Sequence, residues 1–157
     1  MAKSESNWLP GKAGLVLAVC VSKQKGTRKQ QVASIRLRVG YGVEGDAHGG
    51  SARQVSLLCE SSIAKLQGRG LEVGPGDFAE NITVSGLEAN HFVSGTRVSV
   101  GNNVELRVTE IGKDCHSACE IRRITGTCIM PKEGIFAEVV AGGEVKPSDR
   151  VVVGDGL

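Results

Sequence analysis

Aromatic residues are nearly missing from this chain: Trp8, Tyr41, Phe78, Phe92 and Phe136 are all it has, 3% of the total. A core without large rings has to be assembled from Val, Ile and Leu, whose side chains suit short pleated strands. An excess of charge of one sign is missing too. Nineteen Lys and Arg stand against 17 Asp and Glu, a net charge of +2, which falls short of the clustered cations that track a phosphate backbone. No nucleic-acid partner is expected. No apolar run approaches the roughly 18 residues that cross a bilayer, so no membrane partner is expected either. The run Leu15 to Val21 ends near Cys20 and superficially resembles a lipoprotein segment, yet it is short and Val19 stands where a lipobox takes a small residue. A buried strand explains it better. A disulfide framework is also lacking, because the five cysteines are odd in number and the chain is long enough to bury a core without staples. A reducing, cytoplasmic setting is expected.

What the chain has in abundance is glycine, 22 residues of 157, which fits many tight turns between short strands. The length suits one domain. Residues 1–13 carry little periodicity and read as a flexible tail, leaving 14–157 as the single domain. Strand character appears at Leu15 to Val21, Ser34 to Val39, Gln54 to Leu58, Ile82 to Val84, Arg97 to Val100, Val104 to Ile111 and Val151 to Val153. The alternation is clearest where Val104, Leu106 and Val108 interleave with Glu105, Arg107 and Thr109. Gly101 to Asn103 reads as the turn joining two of these strands into a hairpin. Helical pattern is expected at Glu60 to Gln67, closed by Gly68, and at Ile135 to Val140, closed by Gly142 and Gly143. Many short strands and a few short helices make the fold mostly β, a barrel or a sandwich.

The residues able to carry chemistry are few. Cys115, His116 and Cys119 follow the strand ending at Ile111, and strand ends are where a rigid scaffold presents reactive groups. A cysteine reacts as its thiolate, which Lys113 or a protonated His116 would favour. Cys115, His116, Cys119 and Cys128 are also four soft ligands for a zinc ion, although only one pair has knuckle spacing. Cys20, Cys59 and Cys128 read as small hydrophobes. His48 follows Asp46 in the glycine-flanked stretch GVEGDAHGG, Gly42 to Gly50, which leads on to Arg53. His91 reads as a surface residue. Lys23, Lys25, Arg28 and Lys29 crowd one segment, either a solvated loop or an anion site.

Taken in order, GVEGDAHGG, RQVSLL, DFAENIT, GKDCHSACEI and CIMPKEGIF resemble the MOSC domain, the module named for the C-terminal part of molybdenum cofactor sulfurase, over nearly the whole chain. The resemblance implies a predominantly β, barrel-like fold. It also implies a reactive cysteine after the long strand, proposed to hold transferable sulfur as a persulfide. Many relatives have Arg, any residue, Pro, Cys there. This chain has Gly112, Lys113, Asp114, Cys115, so Cys119 remains the rival of Cys115. A Ser stands at 148 where relatives usually have a Gly that turns with positive φ, so that turn should be strained or of another type.

The acceptor implied by the resemblance is the molybdenum cofactor, molybdopterin, an anion, for which Arg53, Lys113 and Arg122 offer charge-assisted hydrogen bonds. Asp46, Glu80 and Asn81 would shape that site or, for Glu80 and Asn81 in AENIT, hold a turn. The expected function is a sulfur carrier or sulfurtransferase with Cys115, His48 and Lys113 as its reactive set. It would be loaded by a separate cysteine desulfurase, since no bound pyridoxal phosphate is expected in a chain of this size, and would serve a molybdoenzyme. The alternatives are a molybdopterin-binding or chaperone module acting beside a molybdopterin-synthesis protein, or a component of a system reducing N-hydroxylated compounds.

Overall fold

The computed structural model describes residues 12–25, 27–112 and 130–154. Seven strands close into a barrel in the order β1 (Lys12–Val21), β11 (Arg150–Val153), β7 (Arg97–Val100), β8 (Val104–Ile111), β9 (Ile135–Ala141), β5 (Val55–Cys59) and β6 (Ile82–Ser85), returning to β1. A closed ring with an odd number of strands cannot alternate in direction throughout. Here the exception is β5 with β6, the one parallel pair of the ring. A parallel neighbour needs a crossover connection, and α1 (Glu60–Gln67) supplies it. On the edge that β11 leaves at Leu15, β2 (Gln30–Val32) pairs with Val19 to Val21. A separate three-stranded sheet joins β10 (Gly143–Val145), β3 (Ile35–Arg38) and β4 (Gly42–Val43).

Two apolar clusters follow from this layout. The barrel interior is filled by Val, Ile and Leu, among them Val16, Val19, Val55, Leu57, Ile82, Val84, Leu106, Val108, Ile135 and Val139. Outside the barrel wall, Leu58 and Phe136 pack with Ile63 and Leu66 of α1, Phe78 and Met130. Strand β5 is therefore buried on both faces. Met130 opens α2 (Met130–Glu133), whose Glu133 accepts hydrogen bonds from Ser62 and Lys65 of α1.

The barrel satisfies the expectation of a mostly β domain. The hairpin expected at Gly101 is present, with Val100 opposite Val104 and Gly101 at φ +63°. The helix expected at Glu60 to Gln67 is also present, and Gly68 donates to the Ala64 carbonyl. Ile135 to Val140 is not a helix; it is strand β9, paired with β5 on one side and β8 on the other. Ile135, Ala137 and Val139 enter the barrel while Phe136 is buried in the outer cluster. Apolar residues stand on both faces, Phe136 buried and Val140 exposed on the outward one, so the run lacks the alternation that marks a half-exposed strand and imitates a helical pattern. Among the described residues, no helix is long and apolar enough to cross a membrane.

Candidate functional site

The stretch from Asp46 to Arg53 lies just after β4 and is held by its own turns. The Gly49 amide donates to the Asp46 carbonyl, the Gly50 amide to Tyr41, the Ser51 amide and hydroxyl to His48, and the Arg53 amide to the Ser51 hydroxyl. A Cβ at position 49 would enter the space of the Tyr41 ring, so any larger residue there requires that ring to move.

Beneath His48 lies a buried ion pair. Lys29 Nζ donates to Asp46 Oδ1 at 2.8 Å and to Ser22 Oγ at 3.1 Å, and both charged side chains are fully shielded from solvent. Asp46 also accepts the Ser22 amide on Oδ1 and the His48 amide on Oδ2. Burial alone would raise the Asp46 carboxyl. A proton on the His48 ring, when Nδ1 carries one, and hydrogen bonds from Lys29 and Ser22, together with the Lys29 charge, outweigh it and hold the group well below the usual carboxylate range. His48 Nδ1 is 3.3 Å from Lys29 Nζ and 3.5 Å from Asp46 Oδ2.

Above this pair opens a cleft of about 390 Å³ lined by Lys25, His48, Ser51, Ala52, Arg53, Glu110 and Phe136, within the size range of small-molecule sites. Arg53 grips Glu110 in a two-point fork, Nε to Oε1 at 3.0 Å and Nη2 to Oε2 at 3.1 Å, and its guanidinium lies 5.3 Å from the Phe136 ring centre. His48 and Arg53 thus share one cleft. An anion entering it meets an Arg53 already engaged by a carboxylate.

Glu110 was not anticipated, and the reason is local. By the alternation of Val104, Leu106 and Val108 it should point into the barrel. The register shifts between Val108 and Glu110, which brings Glu110 opposite Phe136 and turns it outward. Such bulges re-aim a side chain at the rim of a barrel. A Glu in phase with three buried valines and leucines was the signal available. Lys29 was legible only as one member of a basic segment, because its partners lie 7, 17 and 19 residues away in sequence.

Glu80 and Asn81 are buried in the barrel wall. The Asn81 side chain accepts from the Ser56 amide and hydroxyl and donates to the Cys20 carbonyl, tying β5 to β1. Glu80 Oε2 accepts from the Gly76 amide and the Thr83 hydroxyl, while Oε1 is buried with no partner among the described residues. Burial dominates over those hydrogen bonds and raises the Glu80 carboxyl. Burial likewise pushes the Cys20 and Cys59 thiols up to about 12, which keeps both as unreactive thiols. Both are buried and free, in line with the reading of them as small hydrophobes.

Lys113, Cys115, His116, Cys119, Arg122 and Cys128 fall within 113–129, outside the described residues. The ends of that stretch are described. Gly112 follows β8 two residues after Glu110, and its amide donates to the Gly134 carbonyl at 2.7 Å, so the described residues on either side of that stretch are hydrogen-bonded to each other. Among the described residues, no group of His, Cys, Asp and Glu is arranged to hold a metal ion.

Comparison with known proteins agrees with this architecture. The YuaD protein of Bacillus subtilis superposes with a TM-score of 0.73 at 17% identity, covering 90% of this chain and 95% of that one. YiiM of Geobacillus stearothermophilus gives 0.70 at 18% identity over 89% and 74%, and YiiM of Escherichia coli 0.66 at 18% over 92% and 71%. At these identities the likeness is one of fold. No curated protein matches the sequence significantly. The family model for the MOSC domain matches residues 44–152, from the turn before Asp46 into the last barrel strand, and the chain belongs to the MOSC domain family.

Proposed function

We propose that this MOSC domain carries sulfur as a persulfide on Cys115 and delivers it to an anionic acceptor, a molybdenum cofactor or the molybdoenzyme bearing one, received in the cleft of Lys25, His48 and Arg53. The observation that carries the reading is the position of β8. Glu110 is part of the cleft wall, and Cys115 stands five positions further along the chain, a reach of at most about 18 Å when fully extended. The donor set suits an anion: an ammonium, a guanidinium and an imidazole face one opening.

Loading moves the outer sulfur of a cysteine desulfurase persulfide onto the Cys115 thiolate and releases the donor as its thiolate. Delivery as sulfide breaks the Cys115 sulfur–sulfur bond, takes two electrons from a thiol reductant and returns Cys115 to a thiolate. His48, Arg53 and Lys25 bind and orient the acceptor, and the sequence offers Lys113 and Arg122, outside the described residues, as further cations for it. Binding without transfer is the second reading, favoured by the fact that the donors of the cleft, Lys25, His48 and Arg53, suffice to hold an anion and none of them is a thiol.

Peptide mass spectrometry after incubation with a desulfurase and cysteine separates the two. A reductant-sensitive gain of one sulfur at Cys115, abolished in Cys115→Ser, supports the carrier. No gain, or a gain spread over all cysteines, leaves the binding module as the better account.

A further inference from the structure

The geometry points to Lys29 as a positioning residue that determines which ring nitrogen of His48 carries the proton, so that His48 offers the cleft an Nε2–H donor. The Lys29 ammonium has three protons and three acceptors within reach: Asp46 Oδ1 at 2.8 Å, Ser22 Oγ at 3.1 Å and His48 Nδ1 at 3.3 Å. A lysine has no lone pair to offer when charged, so its contact with Nδ1 requires Nδ1 to be the bare, accepting nitrogen.

The competing partner is Asp46 Oδ2, 3.5 Å from the same Nδ1. That oxygen already accepts the His48 backbone amide at 3.1 Å. A proton on Nδ1 would be aimed between a carboxylate it reaches poorly and an ammonium that repels it. With Lys29 charged, the neutral ring therefore places its proton on Nε2, and with Nδ1 turned inward Nε2 is the nitrogen left to the cleft.

The arrangement has a consequence for the ligand, which rests on the proposed reading of the cleft as the acceptor site. Lys25, Arg53 and His48 would all donate, so the class of group selected is one that presents hydrogen-bond-accepting oxygens. Without Lys29 the remaining partner of Nδ1 is the Asp46 carboxylate. The proton then moves to Nδ1, and Nε2 changes from a donor into an acceptor that turns an oxyanion away. Lys29 would thus influence specificity without touching the ligand.

Long-range proton–nitrogen correlation NMR on the full chain, at a pH where the ring is neutral, reads the tautomer directly, with the His48 signals identified by their loss in His48→Gln. The wild-type protein is expected to show the proton on Nε2. In Lys29→Met the protonated-nitrogen signal should shift from Nε2 to Nδ1, and Lys29→Arg, which keeps the charge and the donors, should retain it on Nε2. A wild-type proton on Nδ1 overturns the proposal, as does an unchanged tautomer in a folded Lys29→Met protein. If both variants fail to fold, a wild-type proton on Nδ1 still overturns the proposal. Since no sulfur loading enters the readout, failure of the carrier function would leave this result intact, and the reverse also holds.

Discussion

Ser148 sits at φ +79° in the turn before β11, a left-handed conformation that non-glycine residues rarely adopt. Two backbone bonds hold the turn: the Ser148 amide donates to the Val16 carbonyl and the Asp149 amide to that of Lys146. Strain is accepted in exchange for those bonds, so Ser148→Gly should raise stability by about 1 kcal/mol, read as a higher urea midpoint with an unchanged slope. The two buried carboxylates should respond to pH with opposite signs. Glu80 is raised by burial, so its stabilising contribution is complete below its unfolded value of about 4.3 and is lost as pH rises towards its folded value. Asp46 is lowered, so its contribution is present above about 3.9 and is lost as pH falls. Glu80→Gln should therefore gain on the wild type as pH rises from 4 to 8, measured by chemical denaturation at several pH values. A constant difference across that range would show that Glu80 is ionised in the folded protein.

At the scale of elements, α1 exists because the barrel needs a parallel neighbour for β5, and the helix covers the outward face of that strand. Leu66 is 1% exposed in the cluster that joins α1 to Leu58, Phe78, Met130 and Phe136. Leu66→Ala should cost about 2–5 kcal/mol, seen as a fall in the unfolding midpoint. The same cluster fixes Phe136, against which Arg53 and Glu110 are arranged, so a loosened α1 should also change ligand binding in the cleft. The helix was legible from its apolar spacing and its closing Gly68. Strands β2, β4 and β10, of two or three residues each, were not, because so few positions carry no periodicity. Strand β9 imitates a helix for another reason, apolar residues on both of its faces although Val140 on the outer one is exposed. The register shift between Val16 and Ala18 in β1 is set by the partner strand and was hidden, whereas the one that turns Glu110 outward left a trace in its own strand, a Glu in phase with buried Val104, Leu106 and Val108.

Over the whole molecule, stability depends on closure. β11 is paired with β1 on one side and β7 on the other, so the last described strand joins the first and no edge is left at that seam. Truncation after Asp149 removes β11 and opens both neighbours, whose unpaired backbone groups then invite association between copies. That variant is expected to lose its folded monomer, with size-exclusion chromatography showing aggregates and circular dichroism a weakened β signal. A stable monomer of unchanged spectrum would contradict the closed-barrel account.

The sequence by itself determined the composition of the core, the MOSC resemblance, the principal strands, the first helix and the hairpin at Gly101, because each of these depends on neighbours close in the chain or on motifs read as strings. It also pointed to His48 and Arg53, which the fold brings to one cleft. Only the tertiary structure decided that Lys29 is buried against Asp46, that Glu110 holds Arg53, that Glu80 and Asn81 lie within the barrel wall, and that residues 135–141 form a strand. Those outcomes rest on pairings across tens of residues, and on a dielectric environment that exists only once the barrel has closed. No local pattern encodes either.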